Sequence, residues 1–342
     1  MSLQKSLDQK LAALRANPRA DTFILADAKD ADMAWGVASP GQRWPRPAGS
    51  PEFYSMDEYI QQIREIVRQG QVDLMLGSVS TMSLLAQREG LFDSSAVTPA
   101  IRANDTTDIW LSRGSRYSAS ASRPFSTCEV SEAQGRKPSD EPSVRPAVNL
   151  GLYSITFNHD LERDRESLLA FKDFRRECRE TGFRYFLEIF APNVACGLSA
   201  EAIPAYMNDQ IVRTLAGVSR ENRPEFLKIP YLGAGWLEEL VHYDSTLVVG
   251  IMGGASGTTR DAFTLIAEAK KHGARAALFG RKIKDAEHPL TFVTYLRAVA
   301  DGKMSPEEAV RAYHGELAKN RVPAKRPLEE DLLITSPELK YR

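Results

Sequence analysis

The chain has 342 residues, enough to bury a sizeable core, and its 44 lysines and arginines nearly balance 45 aspartates and glutamates. Such a balance provides no bulk positive field to hold nucleic acid or an anionic membrane, so the expected partner is a small molecule. The cysteines Cys128, Cys178 and Cys196 are too widely spaced for a metal knuckle and odd in number, which reads as free thiols in a reducing compartment.

The N-terminus, MSLQKSLDQKLAALRANP, predicts a charged amphipathic helix carrying Leu3, Leu7, Leu11 and Leu14, without the apolar core of a signal peptide. No window approaches the roughly 20 apolar residues that a membrane span requires, and a cytoplasmic location is expected. Eight apolar runs then follow as candidate strands: 23–28 (FILADA), 72–78 (VDLMLGS), 97–103 (VTPAIRA), 147–155 (AVNLGLYSI), 184–190 (RYFLEIF), 225–231 (EFLKIPY), 246–252 (TLVVGIM) and 275–281 (RAALFGR). Amphipathic stretches at 56–69, 80–89, 161–181, 200–219, 232–241, 258–272 and 289–300 are long enough to serve as crossover helices. This alternation predicts an α/β fold, a closed (β/α)8 TIM barrel over residues 1–342 as a single domain with an N-terminal helix. A doubly wound open sheet usually shows a Gly-rich turn after its first strand, and DAKDADMAWG offers none.

The third crossover helix is missing from this pattern. Residues 104–146, rich in Ser, Arg and Pro, show no helical period and read as an inserted loop after strand three. Such a loop leaves from the face where barrel active sites lie and is either a lid or a mobile surface excursion. Residues 34–55 form a second polar segment, after strand one, on the same face. Farther on, Ser305 and Pro306 have the chemistry of an N-cap and a first helical position, and 320–342 read as a polar C-terminal tail with an apolar patch at Leu332, Leu333 and Ile334.

Lys228, flanked by Phe226, Leu227 and Ile229, is the most unusual residue, because a lysine inside a buried strand rarely lacks a partner or a task. Desolvation disfavours the ammonium, and a neutral amine can attack a carbonyl to form an iminium that activates the adjacent C–C bond. A lysine reaching solvent or a carboxylate from the strand's open end would look the same. The proton transfers need an acid and a base, for which Asp27 at the end of strand one and Glu188 within YFLEIF are candidates. Alternation allows Lys228, Glu188 and Asp27 to face inward together, with Phe226, Phe186 and Leu25 on their respective faces. Tyr153 is a further candidate proton donor or an ordinary aromatic filling the barrel. Gly253 and Gly254, before a helix starting near Thr258 or Thr259, and Gly280 with Arg281 after strand eight, form a candidate phosphate site. The histidines His159, His242, His272, His288 and His314 show no metal-ligand spacing, and neither a metal nor a cofactor is expected.

Over about 184–283, LEIF, EFLKIPY, GIMGGASG followed by a helix, and FGRKI occur in the order found in the class I aldolases, the group of tagatose-bisphosphate, archaeal-type fructose-bisphosphate and deoxyribose-phosphate aldolases, which the chain resembles. The resemblance implies a Schiff base on Lys228, acidic residues at Asp27 and Glu188, a strand-four tyrosine at Tyr153, and a substrate phosphate at Gly253, Gly254, Gly280 and Arg281. It also implies a homo-oligomer. The sequence departs from the tagatose-type branch, which has a second lysine on strand four where AVNLGLY has Asn149 and Gly151. Lys29, Arg102 and Asn149 are therefore candidates for tuning the amine or touching substrate. The resulting expectation is a metal-independent class I aldolase, a lyase acting on a phosphorylated ketose or related keto substrate. The alternatives are a phosphosugar isomerase or epimerase and a non-catalytic barrel that binds a sugar phosphate.

Overall fold

A computed structural model describes residues 3–135, 146–254 and 257–340. Eight strands run parallel around a closed barrel: β1 (Ile24–Lys29), β2 (Leu74–Gly77), β3 (Thr98–Arg102), β4 (Leu150–Thr156), β5 (Arg184–Phe190), β6 (Leu227–Ile229), β7 (Val249–Met252) and β8 (Ala276–Phe279). Each pairs with the next in sequence, and β8 returns to β1 through the register Ile24↔Ala276 to Asp27↔Phe279. All eight expected strands are present, with both faces buried, as a parallel sheet covered by helices requires.

The layers follow from strand alternation. Ile24, Ala26, Leu74, Leu76, Ala100, Leu150, Leu152, Phe186, Phe226, Ala276 and Leu278 fill the interior. They form one cluster with Leu7, Leu11 and Leu14 of helix α1 (Ser6–Ala16), so the amphipathic N-terminal helix plugs the barrel. The intervening residues, such as Leu25, Tyr153 and Leu187, pack outward against the helices in a separate core.

Helix α2 (Met56–Gln69) shows why these segments are helical. Ser55 and Glu58 form a capping box, Ile60, Ile63 and Val67 recur on one buried face, and Gly70 ends the helix at φ 67°. The stretch expected at 80–89 begins as a single α-turn, Val79–Met82, and continues as a π-helix, Ser83–Arg88. The remaining crossovers are α3 (Leu161–Thr181), α4 (Ile203–Ala216), α5 (Ala234–Tyr243), α6 (Thr259–Lys271) and α7 (Pro289–Ala300). Helix α8 (Pro306–Lys319) starts at a Ser305–Glu308 capping box.

Between β3 and β4, the described part of 104–146 has local structure of its own. Asp105–Thr106 pairs antiparallel with Pro124–Phe125, and Val130–Ala133 forms one helical turn. Residues 136–145 of that segment lie outside the described residues. The C-terminal segment also departs from a simple polar tail. Asp331 is buried and accepts from the Thr259 amide at 2.8 Å, while the Thr335 and Ser336 amides donate to Asp261 at 2.8 and 3.1 Å.

Candidate active site

Lys228 sits on β6 with its neighbours set by register. Glu188 on β5 pairs with Lys228, and Ser154 on β4 pairs with Glu188, so the three form a row across adjacent strands. Below this row the rings of Phe186 and Phe226 stack at 4.5 Å and separate it from the apolar plug. Lys228 Nζ is ion-paired with Glu188 Oε1, and both side chains are buried. The other carboxylate oxygen, Oε2, accepts from Ser154 Oγ at 2.6 Å and from Arg102 Nη2 at 3.3 Å. Arg102 also donates from Nη1 to Ser154 Oγ at 2.8 Å and from Nε to Asp30 Oδ2 at 2.5 Å. Glu188 thus bridges a lysine and an arginine, and Asp30 neutralises the arginine from the other side.

The electrostatics follow from this packing. Burial works against the charge of Arg102, but Asp30 and Glu188 outweigh it and hold the guanidinium above its ordinary range. Burial would likewise raise the Asp30 carboxyl, but the charges of Arg102 and Lys228 prevail and hold it below the usual carboxylate value. Asp30 is therefore ionised at neutral pH and lies close enough to feel the charge of Lys228.

Asp30, Arg102, Glu188 and Lys228 line a cavity of about 240 Å³ at the C-terminal mouth of the barrel. The cavity brings together Gly253, Gly254, Gly280 and Arg281, the residues grouped from the sequence as a candidate phosphate site, with Lys284 beside them. A Cβ at Gly253 would lie 2.2 Å from the Phe279 ring, and one at Gly280 2.9 Å from the Ala28 carbonyl oxygen, so both positions demand glycine. Arg281 and Lys284, one turn apart, each lie 5.6 Å from the Trp35 ring centroid. Ala255 and Ser256 lie outside the described residues. The start of α6 is already occupied: the Thr258 amide donates to Asp261 at 2.8 Å and the Thr259 amide to Asp331. The expected contribution of the first α6 amides is thus corrected: those of Thr258 and Thr259 are already bonded, and an anion here would meet the glycines and cations instead.

Four sequence candidates fall elsewhere. Asp27 and Lys29 alternate outward from the barrel, under α2, where Lys29 Nζ lies 3.4 Å from Asp27 Oδ2 and donates to Gln62 at 2.8 Å. The shared face of Leu25 and Asp27 is real, but it is the helix-facing one. Burial pushes the Asp27 carboxyl up to about 6 despite Lys29, and depresses the Lys29 amine despite Asp27. Tyr153 also faces outward and stacks on Phe174 at 4.5 Å. Asn149 precedes β4 at the barrel's other end, accepting from Gln134 at 2.9 Å. Of the candidates for a second cation, only Arg102 enters the cavity.

Sequence reading missed Asp30, Ser154 and Lys284. Lys284 was legible, since RKIK places it three residues after Arg281 on one helical face. Ser154 shares the parity of Leu152, but a hydroxyl next to Tyr153 carries no signal. Asp30 lies just beyond the strand, where alternation no longer predicts direction.

The barrel is similar in fold to solved fructose-bisphosphate aldolases. An archaeal fructose-1,6-bisphosphate aldolase, whose catalytic lysine is covalently bound to the carbinolamine intermediate of its substrate, matches with TM-score 0.59 at 16% identity, over 86% of this chain and 100% of that one. A fructose-bisphosphate aldolase from Slackia heliotrinireducens matches with TM-score 0.63 at 14% identity, over 91% of each chain. In sequence, the chain is 29% identical over 108 residues to 2-amino-3,7-dideoxy-D-threo-hept-6-ulosonate synthase 1 of Archaeoglobus fulgidus, spanning 32% of this chain and 40% of that relative. No protein-family model matches the chain.

Proposed function

We propose that the chain is a Schiff-base, metal-independent aldolase that makes or breaks a C–C bond in a phosphorylated ketose or related keto substrate. The observation that carries this reading is a buried lysine, in contact with a buried carboxylate, at the floor of a cavity with a glycine-and-cation side. Glu188 is in place to accept the proton that Lys228 must lose before attacking a carbonyl, and to return it to the carbinolamine oxygen as water leaves. Arg102 and Ser154 fix the Glu188 carboxylate, while Gly253, Gly254, Gly280 and Arg281, with Lys284, would hold a substrate phosphate. Arg102 takes the place of the second lysine as the cation nearest the Glu188–Lys228 pair.

Borohydride reduction with dihydroxyacetone phosphate and other small ketones, followed by peptide mass mapping, tests the reading. The expected result is a ketone-dependent mass gain on the Lys228 peptide that is lost in Lys228→Met. Binding of a phosphorylated ligand without any trapped adduct would replace it with a phosphosugar isomerase, in which Lys228 acts by charge alone, or with a non-catalytic binder.

A further inference from the structure

The walls of the cavity differ in chemistry. The glycines with Arg281 and Lys284 follow β7 and β8, whereas half-buried Ile109 and Leu111 follow β3 and half-buried Phe190 ends β5; Met33 lies between the two groups, on the turn whose Trp35 ring packs on Arg281 and Lys284. Ile109 and Leu111 come from the segment after β3, and the Leu111 amide is anchored to the Ala34 carbonyl at 2.9 Å. Among the described lining residues, the remaining polar side chains are Asp30, Arg102, Glu188 and Lys228. Arg102 is committed to Asp30, Ser154 and Glu188 through all three of its nitrogens.

A phosphorylated or polyhydroxylated fragment placed against the wall of Ile109, Leu111 and Phe190 would give up hydration with little replacement, because among the described lining residues the nearby cations, Arg102 and Lys228, are already paired with Asp30 and Glu188. An alkyl or aryl group would gain by leaving water. We propose that the aldehyde partner is uncharged and apolar, so that the enzyme joins a phosphorylated ketone donor to an aliphatic or aromatic aldehyde. This rests on the aldolase reading above.

The step balances without an oxidant or reductant. The Lys228 amine condenses with the donor ketone, releasing water and forming an iminium. A proton leaves the carbon next to the iminium for a carboxylate of the site, giving an enamine. That carbon then bonds to the aldehyde carbon, whose oxygen takes up a proton. Water hydrolyses the new iminium, freeing the amine and the hydroxyketone phosphate.

The test has two arms. Borohydride trapping at Lys228 selects the donor, beginning with dihydroxyacetone phosphate. With that donor saturating, kcat/KM is then compared for isobutyraldehyde, benzaldehyde, glyceraldehyde and glyceraldehyde-3-phosphate. The apolar aldehydes are expected to lead by at least about tenfold, the scale on which a pocket reads small apolar groups. Leu111→Ser is expected to erode that preference several-fold. A trapped donor combined with equal or better use of glyceraldehyde-3-phosphate overturns the inference alone. No trapped adduct with any ketone overturns the aldolase reading and this inference with it.

Discussion

Replacing Asp27 by Asn leaves the Lys29 ammonium, 0% exposed, with Gln62 Oε1 at 2.8 Å and the Tyr59 ring at 5.8 Å to its centroid. In the wild type the Asp27 oxygens accept no hydrogen bond among the described residues, and Lys29 at 3.4 Å is the countercharge. Removing one member of a buried pair costs about 3–5 kcal/mol. Burial already depresses the Lys29 amine, so proton loss there puts the cost toward the lower end. At about 2–4 °C per kcal/mol, this predicts a fall in Tm of roughly 10 °C. Lys29→Met is expected to cost a comparable amount, and Asp27→Asn/Lys29→Met to recover most of the loss.

The pH dependence has a definite sign. The Asp27 carboxyl in the folded state titrates at about 6, above its ordinary 3.8. Its contribution to stability is therefore present below 3.8 and lost as pH rises through about 6. Lys29→Met removes the countercharge and should steepen this fall, while the double variant should lack it. Thermal melts followed by circular dichroism from about pH 4 to about pH 8 read the effect. Asp30→Asn also removes one member of a buried pair, with Arg102, and should lower stability, but unlike Asp27→Asn it should in addition slow turnover by about a hundredfold or more, because Asp30 touches the Arg102 network at the cavity. An Asp27→Asn protein with wild-type Tm and a turnover defect matching that of Asp30→Asn would refute the outward placement of Asp27.

Glu188→Gln removes the carboxylate in contact with Lys228, the proposed proton acceptor, and on that proposal turnover should fall by about 10²–10⁴-fold. Steady-state kinetics should show this mainly in kcat. Asp331→Ala strips the partners from the Thr259 amide and from His314 Nε2, at 2.8 and 2.9 Å, and should cost about 1–3 kcal/mol in urea unfolding at neutral pH. Burial would raise the Asp331 carboxyl, but its hydrogen bonds from His314 and Thr259 hold it below 3.8; the difference from wild type should therefore vanish as the pH falls below that value.

Much of the architecture was legible in the chain because it is periodic. Apolar runs alternating with amphipathic stretches specify eight strands and their crossovers, and parallel strands joined by helices close in order. Lys228 and Glu188 stood out because each is a charge within an apolar strand, and the glycines before and after Phe279 mark close backbone approaches. Direction was not legible. Parity relates residues of one strand to each other but leaves open which set faces the axis, so Asp27, Lys29 and Tyr153 could be grouped correctly and still be aimed wrongly. Nor does alternation extend past a strand's end, where Asp30 turns in to meet Arg102. The aperiodic segment after β3 gave no sign that Ile109 and Leu111 would wall the cavity, and the tail none that Asp331 would cap α6, because both depend on contacts between residues far apart in the chain. Local pattern thus determined the barrel and both members of its Lys228–Glu188 pair, whereas tertiary packing decided which charges meet and what surrounds them.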